Sequence, residues 1–285
     1  MRPDGWHLAE DAAGFLDRAG DFLHSLPALH TVQLTAIETL RTRGADAHGA
    51  EASCFGWLER AGQVCATFVR TPPRRVNLTP LTSGQADSLA AYLAGLGHAL
   101  PGASADRDTA AAFAQAWQRR TGATPALHAR LRLYRLGTLT PPEPLPEGLG
   151  RIAGEQDREQ LTLWYREFVA AVGGAPPPDA GASADPRLAG KRFMFWETPD
   201  GTAVSMAGMT PVVGGQARVD PVYTPARLRG RGYAGAVTAE ASRAALAAGA
   251  TEVVLFTDLA NPTSNALYQR IGYLPVADFA AYDFS

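Results

Sequence analysis

TPARLRGRGYAGAVTAEASRAALAAG, residues 224–249, sets Arg227, Arg229 and Arg231 and the glycines Gly230 and Gly232 directly ahead of an alanine-rich run with the composition of a helix. A helix begins with about four backbone N–H groups that have no partner inside it, carrying roughly half a positive charge in sum, so its amino end receives anions. Glycines at that end remove the Cβ atoms that would hold a ligand away from the backbone, and arginine adds forked donors suited to phosphate oxygens. The stretch reads as a phosphate-binding turn between a strand and a helix.

The residues on either side narrow the ligand. A Walker loop closes with Gly-Lys-Ser/Thr, and the only lysine of this chain is Lys191. A dinucleotide turn follows the first strand of a βαβ unit, with an acidic residue about twenty positions on. Here the turn follows strands expected at about 191–198, 202–210 and 215–223, an antiparallel meander whose first two members are joined by the turn-forming PDG of residues 199–201. A helix is expected over 232–248, a strand over 252–257, a helix over 262–271 and an extended stretch over 273–284.

With VYTP just before the turn and TDLANPTSNALYQRIGY after the helix, residues 215–273 resemble the GNAT superfamily of coenzyme A dependent acyltransferases. Its pyrophosphate loop reads Arg/Gln-x-x-Gly-x-Gly/Ala, which Arg229, Gly230, Arg231, Gly232, Tyr233 and Ala234 fit; a register beginning at Arg227 fits too, but the later one starts the helix directly after the loop. The resemblance implies an α+β fold, a twisted and mostly antiparallel sheet flanked by helices. It implies acetyl-CoA as cosubstrate, no metal, and backbone pairing of the pantetheine arm with Val222, Tyr223 and Thr224. It assigns coenzyme contacts to Asn261 and Asn265, and to the Tyr268 hydroxyl the role of general acid toward the departing thiolate.

Asn261, Asn265 and Tyr268 recur at spacings of four and three, one face of a helix opened by Pro262. With a reference pKa of about 10, a tyrosine is protonated at neutral pH and able to donate. From spacing alone Tyr268 is equally an amphipathic core residue; the Asn-Pro-x-Ser-Asn context favours the functional role. The base is open. All six histidines fall in the first half, at positions 7, 24, 30, 48, 98 and 128. Asp220 is either a carboxylate facing the acceptor or a solvated residue beside Pro221, and Asp258 reads as a cap for the turn that follows. Arg243 and Arg270 read as solvated helix-surface residues, and Trp164, Tyr165 and Trp196 as core.

The whole chain sets the frame. Its 285 residues suit two modest domains, and no apolar run reaches the roughly 20 residues of a membrane span. The amino terminus carries acidic residues where a signal peptide would be basic, so a cytoplasmic protein is expected. Cys54 and Cys65 lie on opposite arms of a hairpin expected at 53–70 and read as reduced. A net charge of −2 spread over both halves argues against nucleic acid as a partner.

GTLTPPEPLPEG, residues 137–148, is the boundary, since its prolines block helix and ladder alike. Before it, helices are expected near 9–24, 30–43, 83–97 and 106–121, with a strand near 126–135. After it come a short strand at GRIAG and a helix over 155–172 whose core stripe is Leu161, Tyr165, Phe168 and Val172. Residues 173–186 form either a lid or a plain surface loop.

Both halves run helices, hairpin, helix, strand, which suggests a tandem: residues 1–140 a degenerate copy without the phosphate loop, residues 149–285 the catalytic domain. The expected activity is direct acetyl transfer from acetyl-CoA to a primary amine of a small molecule or peptide. The alternative is a non-catalytic acyl-CoA sensor or scaffold, which has no use for an acid at the sulfur.

Overall fold

The computed structural model describes residues 4–44, 47, 51–173 and 190–285. The chain forms two compact units: Met1–Leu133 with Phe256–Asn261 and Pro275–Ser285, and Tyr134–Leu255 with Pro262–Leu274. No helix among the described residues is long and apolar enough to cross a membrane.

The first unit runs β1 (Gly5–Leu8), α1 (Ala12–Ser25), α2 (Thr31–Arg43), β2 (Cys54–Arg60), β3 (Gln63–Arg70), β4 (Val76–Leu78), α3 (Ser83–Gly95), β5 (Gly102–Asp106), α4 (Arg107–Thr121) and most of β6 (Pro125–Leu136). Strands β1 to β4 pair antiparallel in sequence order, and β4 pairs parallel with β5. The β2–β3 hairpin closes through Ala61 and Gly62, both at positive φ, the two-residue turn whose twist matches the strands it joins. Cys54 and Cys65 are both free. The outer part of β12 (Tyr273–Phe284) lies antiparallel to β5, pairing Phe279 with Asp106 and Asp283 with Gly102. Beneath this sheet Phe68, Leu78, Leu89, Leu93, Phe113 and Trp117 are buried in one cluster.

The second unit runs β7 (Leu149–Ile152), α5 (Arg158–Ala171), β8 (Arg192–Glu197), β9 (Ala203–Met209), β10 (Gln216–Tyr223), α6 (Tyr233–Ala247), β11 (Glu252–Asp258) and α7 (Pro262–Arg270). Strands β7 to β10 are antiparallel and β10 pairs parallel with β11. Period-two alternation along β8 sorts its side chains: Met194 and Trp196 join the cluster under α6, Phe193 and Phe195 the cluster under α5. The small residues Ala236, Ala241 and Ala245 let α6 settle closely on its sheet. On α5 the buried residues are Trp164, Tyr165 and Val169, with Leu161 and Phe168 at their margin. Val172, expected in the stripe, is 63% exposed because the helix has ended and the chain turns away there.

The order β, α, β, β, β, α, β, α, β from β1 to β6 recurs from β7 to β12, with α5 alone where the first run has α1 and α2. The expected lid or surface loop at 173–186 lies, from residue 174, outside the described residues.

Candidate active site

The site begins where β10 loses a neighbour. Its parallel ladder with β11 consists of Gln216, Ala217 and Arg218 opposite Glu252, Val253 and Val254, and goes no further. On its other edge a bulge between Val219 and Val222 shifts the register against β9. Beyond Arg218 the strand therefore has one ladder instead of two, and backbone groups on its β11 side have no strand to bond. This open edge leads through Val222, Tyr223 and Thr224 into the arginine and glycine turn.

The turn is built to stay open. Gly230 has φ 77° and Gly232 φ 82°, conformations that side-chain-bearing residues rarely adopt. A Cβ on Gly230 would meet nothing within 4 Å, so backbone conformation and not crowding calls for glycine there. Gly232 is the residue before α6; the first bond inside that helix runs from Ala236 N to Gly232 O at 3.1 Å, and no side chain caps the end. The N–H groups of Tyr233, Ala234 and Gly235 thus lack partners within the helix, with no acidic residue in its first turn. Residues 229–232 are exposed.

Not every predicted side chain faces a ligand. Arg229 Nε donates to the Thr224 carbonyl at 3.0 Å, pinning the turn onto the strand end. Thr224 is itself buried, its hydroxyl 2.8 Å from that of Ser205, which also bonds the Tyr223 carbonyl. The Tyr223 hydroxyl donates to Glu167 at 2.8 Å, and burial, then Glu167, raise its pKa. Val222 packs at the margin of the α6 cluster. The Asn265 Oδ1 accepts from the Tyr134 hydroxyl at 2.9 Å, and Gln269 donates to that same hydroxyl at 2.9 Å. Asn261 precedes α7, its N–H donating to the Asp258 carbonyl, while the Asp258 carboxylate accepts from Ala260 N at 2.8 Å and caps the turn.

Tyr268 on α7 is buried, its ring edge-on to Tyr273 at 6.1 Å between centroids. Burial, and after it the negative charge of Asp220, push its pKa far up, so the phenol is firmly protonated at neutral pH. Asp220, on the bulge, is half-exposed and 2.7 Å from Lys191 Nζ. Burial works against its charge, but Lys191 and Arg218 outweigh burial and hold the carboxyl below the usual range. Asp220 and Lys191 are thus ion-paired beside the open strand edge, and the Asp220 charge reaches Tyr268. Lys191 had been noticed in the sequence only as the chain's one lysine; Glu167 was missed, although it sits three residues after Trp164 on the face of α5 that packs on the sheet.

The proline-rich segment is the other feature that composition did not reveal. Gly137 and Thr140 donate backbone bonds to Gly272 and Ile271. Pro142 lies 3.0 Å from where a Gly235 Cβ would be, Pro146 lies 3.6 Å from that of Gly232, and Trp196 donates to the Glu147 carbonyl. The segment is a strap along the start of α6.

An open strand edge, two left-handed glycines and an uncapped helix start fit a ligand made of an extended amide-bearing arm joined to a diphosphate, which is the make-up of coenzyme A. Residues 155–273 match the model of the acetyltransferase (GNAT) family. Among solved structures, the chain is similar to a GCN5-related N-acetyltransferase from Sphaerobacter thermophilus (17% identity, TM-score 0.56, covering 99% of this chain and 96% of that one). It is similar to a tandem GNAT protein from the clavulanic acid biosynthesis pathway (14%, 0.57, 98% of each). It is also similar to a Drosophila protein (14%, 0.63, 99% of each). At these identities the likeness is one of fold. No curated protein matches the chain. The matched segment is that of an acyltransferase. The family match takes in the segment that carries α5 to α7.

Proposed function

We propose that the second unit is an acetyl-CoA dependent N-acetyltransferase that moves an acetyl group directly to a primary amine of a small molecule or peptide. The observation that carries this reading is the junction of β10 and α6: an edge left unpaired after Arg218 runs straight into glycines at positive φ and a helix start without a cap. Acetyl-CoA supplies an activated thioester. The backbone of Val222, Tyr223 and Thr224 lies along the pantetheine arm, the N–H groups at Gly232, Tyr233 and Ala234 meet the diphosphate with Arg231 adding charge, and Asn265 adds a contact from α7. Asp220, kept ionised, takes the proton of the incoming amine, and Tyr268, kept protonated, donates to the sulfur as it leaves.

The first run of elements, in this reading, is a copy that does not bind the coenzyme. Its α3, the counterpart of α6, starts with a complete capping box: Thr82 accepts from Gln85 N and Gln85 accepts from Thr82 N. No glycine at positive φ precedes it. In this reading the protein works in the cytoplasm.

Release of free thiol from acetyl-CoA over a panel of amino acids, polyamines, aminoglycosides and peptide amino termini tests the activity. Tyr268→Phe is expected to lower kcat by about 10²-fold or more with coenzyme affinity nearly unchanged. One observation favours a second reading, a coenzyme-binding sensor: Asp220 is already paired with a cation. A sensor would show coenzyme binding, no turnover with any amine, and no effect of Tyr268→Phe.

A further inference from the structure

Asp220 already has an amine beside it. Lys191 Nζ sits 2.7 Å from the carboxylate, and the lysine side chain is only 14% exposed. No other side chain of the protein ends in a primary amine, since this is its only lysine. Asp220 occupies the bulge where β10 has left β11, and its charge is felt at Tyr268. If Asp220 takes the proton of an acceptor at this edge, an amine within hydrogen-bonding distance of Asp220 stands in the place of an acceptor.

We infer that Lys191 is itself an acceptor: the protein acetylates its own Lys191. This rests on the reading of the second unit as an acetyltransferase. In the step, the Lys191 ammonium gives a proton to Asp220, and Nζ forms a C–N bond to the acetyl carbonyl carbon. The C–S bond of the thioester breaks, and the departing sulfur takes the phenolic proton of Tyr268. Asp220 then passes its proton to water, and the second proton that nitrogen loses as the amide forms returns through water to Tyr268, so the balance is one amide, one free thiol and one proton released. Acetylation removes the lysine charge and with it the ion pair at Asp220.

The full-length protein is incubated with acetyl-CoA and its intact mass and peptide map are read by mass spectrometry. The expected result is one added acetyl group on the peptide holding residue 191. Lys191→Arg should abolish that label, and both Tyr268→Phe and Asp220→Asn should slow it by about 10²-fold. Equal labelling of native and heat-unfolded protein, or of wild type and Tyr268→Phe, is chemical acetylation and overturns the inference. Calorimetry with coenzyme A on the same preparation separates the failures: binding with an unmodified Lys191 overturns the inference and leaves the acetyltransferase reading standing, whereas no binding overturns both.

Discussion

The carboxylate of Asp220 is paired with a cation, and its charge reaches a buried phenol. Lys191 keeps it ionised, and that charge adds to burial in keeping Tyr268 protonated, so one ion pair tunes both candidate proton carriers. The sign of its effect on stability follows from linkage. A carboxyl depressed in the folded state contributes stability above its unfolded value of about 4, and the contribution is lost as pH falls through the folded value. Urea unfolding of wild type and Lys191→Gln should therefore differ at pH 7 and converge below that folded value; a gap that persists unchanged in acid would contradict the ion pair. Gly230→Ala, which forces a Cβ onto a φ of 77°, should cost about 1 kcal/mol and weaken coenzyme A binding, read by calorimetry. The turn was legible because glycine and arginine carry their meaning locally. The Lys191–Asp220 pair was not, since the partners are 29 residues apart and only the pairing of β8 and β10 on either side of β9 brings them together.

Two helices in equivalent places end their first turns in opposite ways. The start of α3 is closed by Thr82 and Gln85, and that of α6 is left bare behind Gly232. Thr82→Ala should cost about 1 kcal/mol in urea unfolding and leave coenzyme A binding untouched; a loss of binding would mean that α3 has a part in the site. Long periodic elements were readable: the helices ending at Arg43 and Thr121 and the hairpin from Cys54 to Arg70 fall close to where spacing puts them. The strands β1, β4 and β5 gave no signal. GWHL and VNL are too short to show alternation, and GASAD lacks the branched and aromatic residues that mark strands. Such strands form because neighbours already in place accept their backbone groups.

The proline-rich stretch marks the midpoint of the chain, but the units do not part there. Tyr134, ahead of it, is fully buried in the second unit and bonded to Asn265 and Gln269, while the strap from Gly137 to Glu147 lies along α6. A chain beginning at residue 149 should lose several kcal/mol through the missing Tyr134 side chain alone; full stability of that fragment by thermal unfolding would contradict this packing. The closing strand carries a similar consequence. Removing residues 275–285 strips β5 of one of its two partners, exposing an edge that invites aggregation, visible as a lower Tm and a larger scattering radius. Composition shows where a chain bends easily, but not which unit the residues beside the bend will join. The most direct test of the account is calorimetric titration of the intact protein with coenzyme A. One molecule bound per chain, with affinity reduced in Gly230→Ala and intact in Thr82→Ala, is the expected result; no binding, or two molecules per chain, would contradict it.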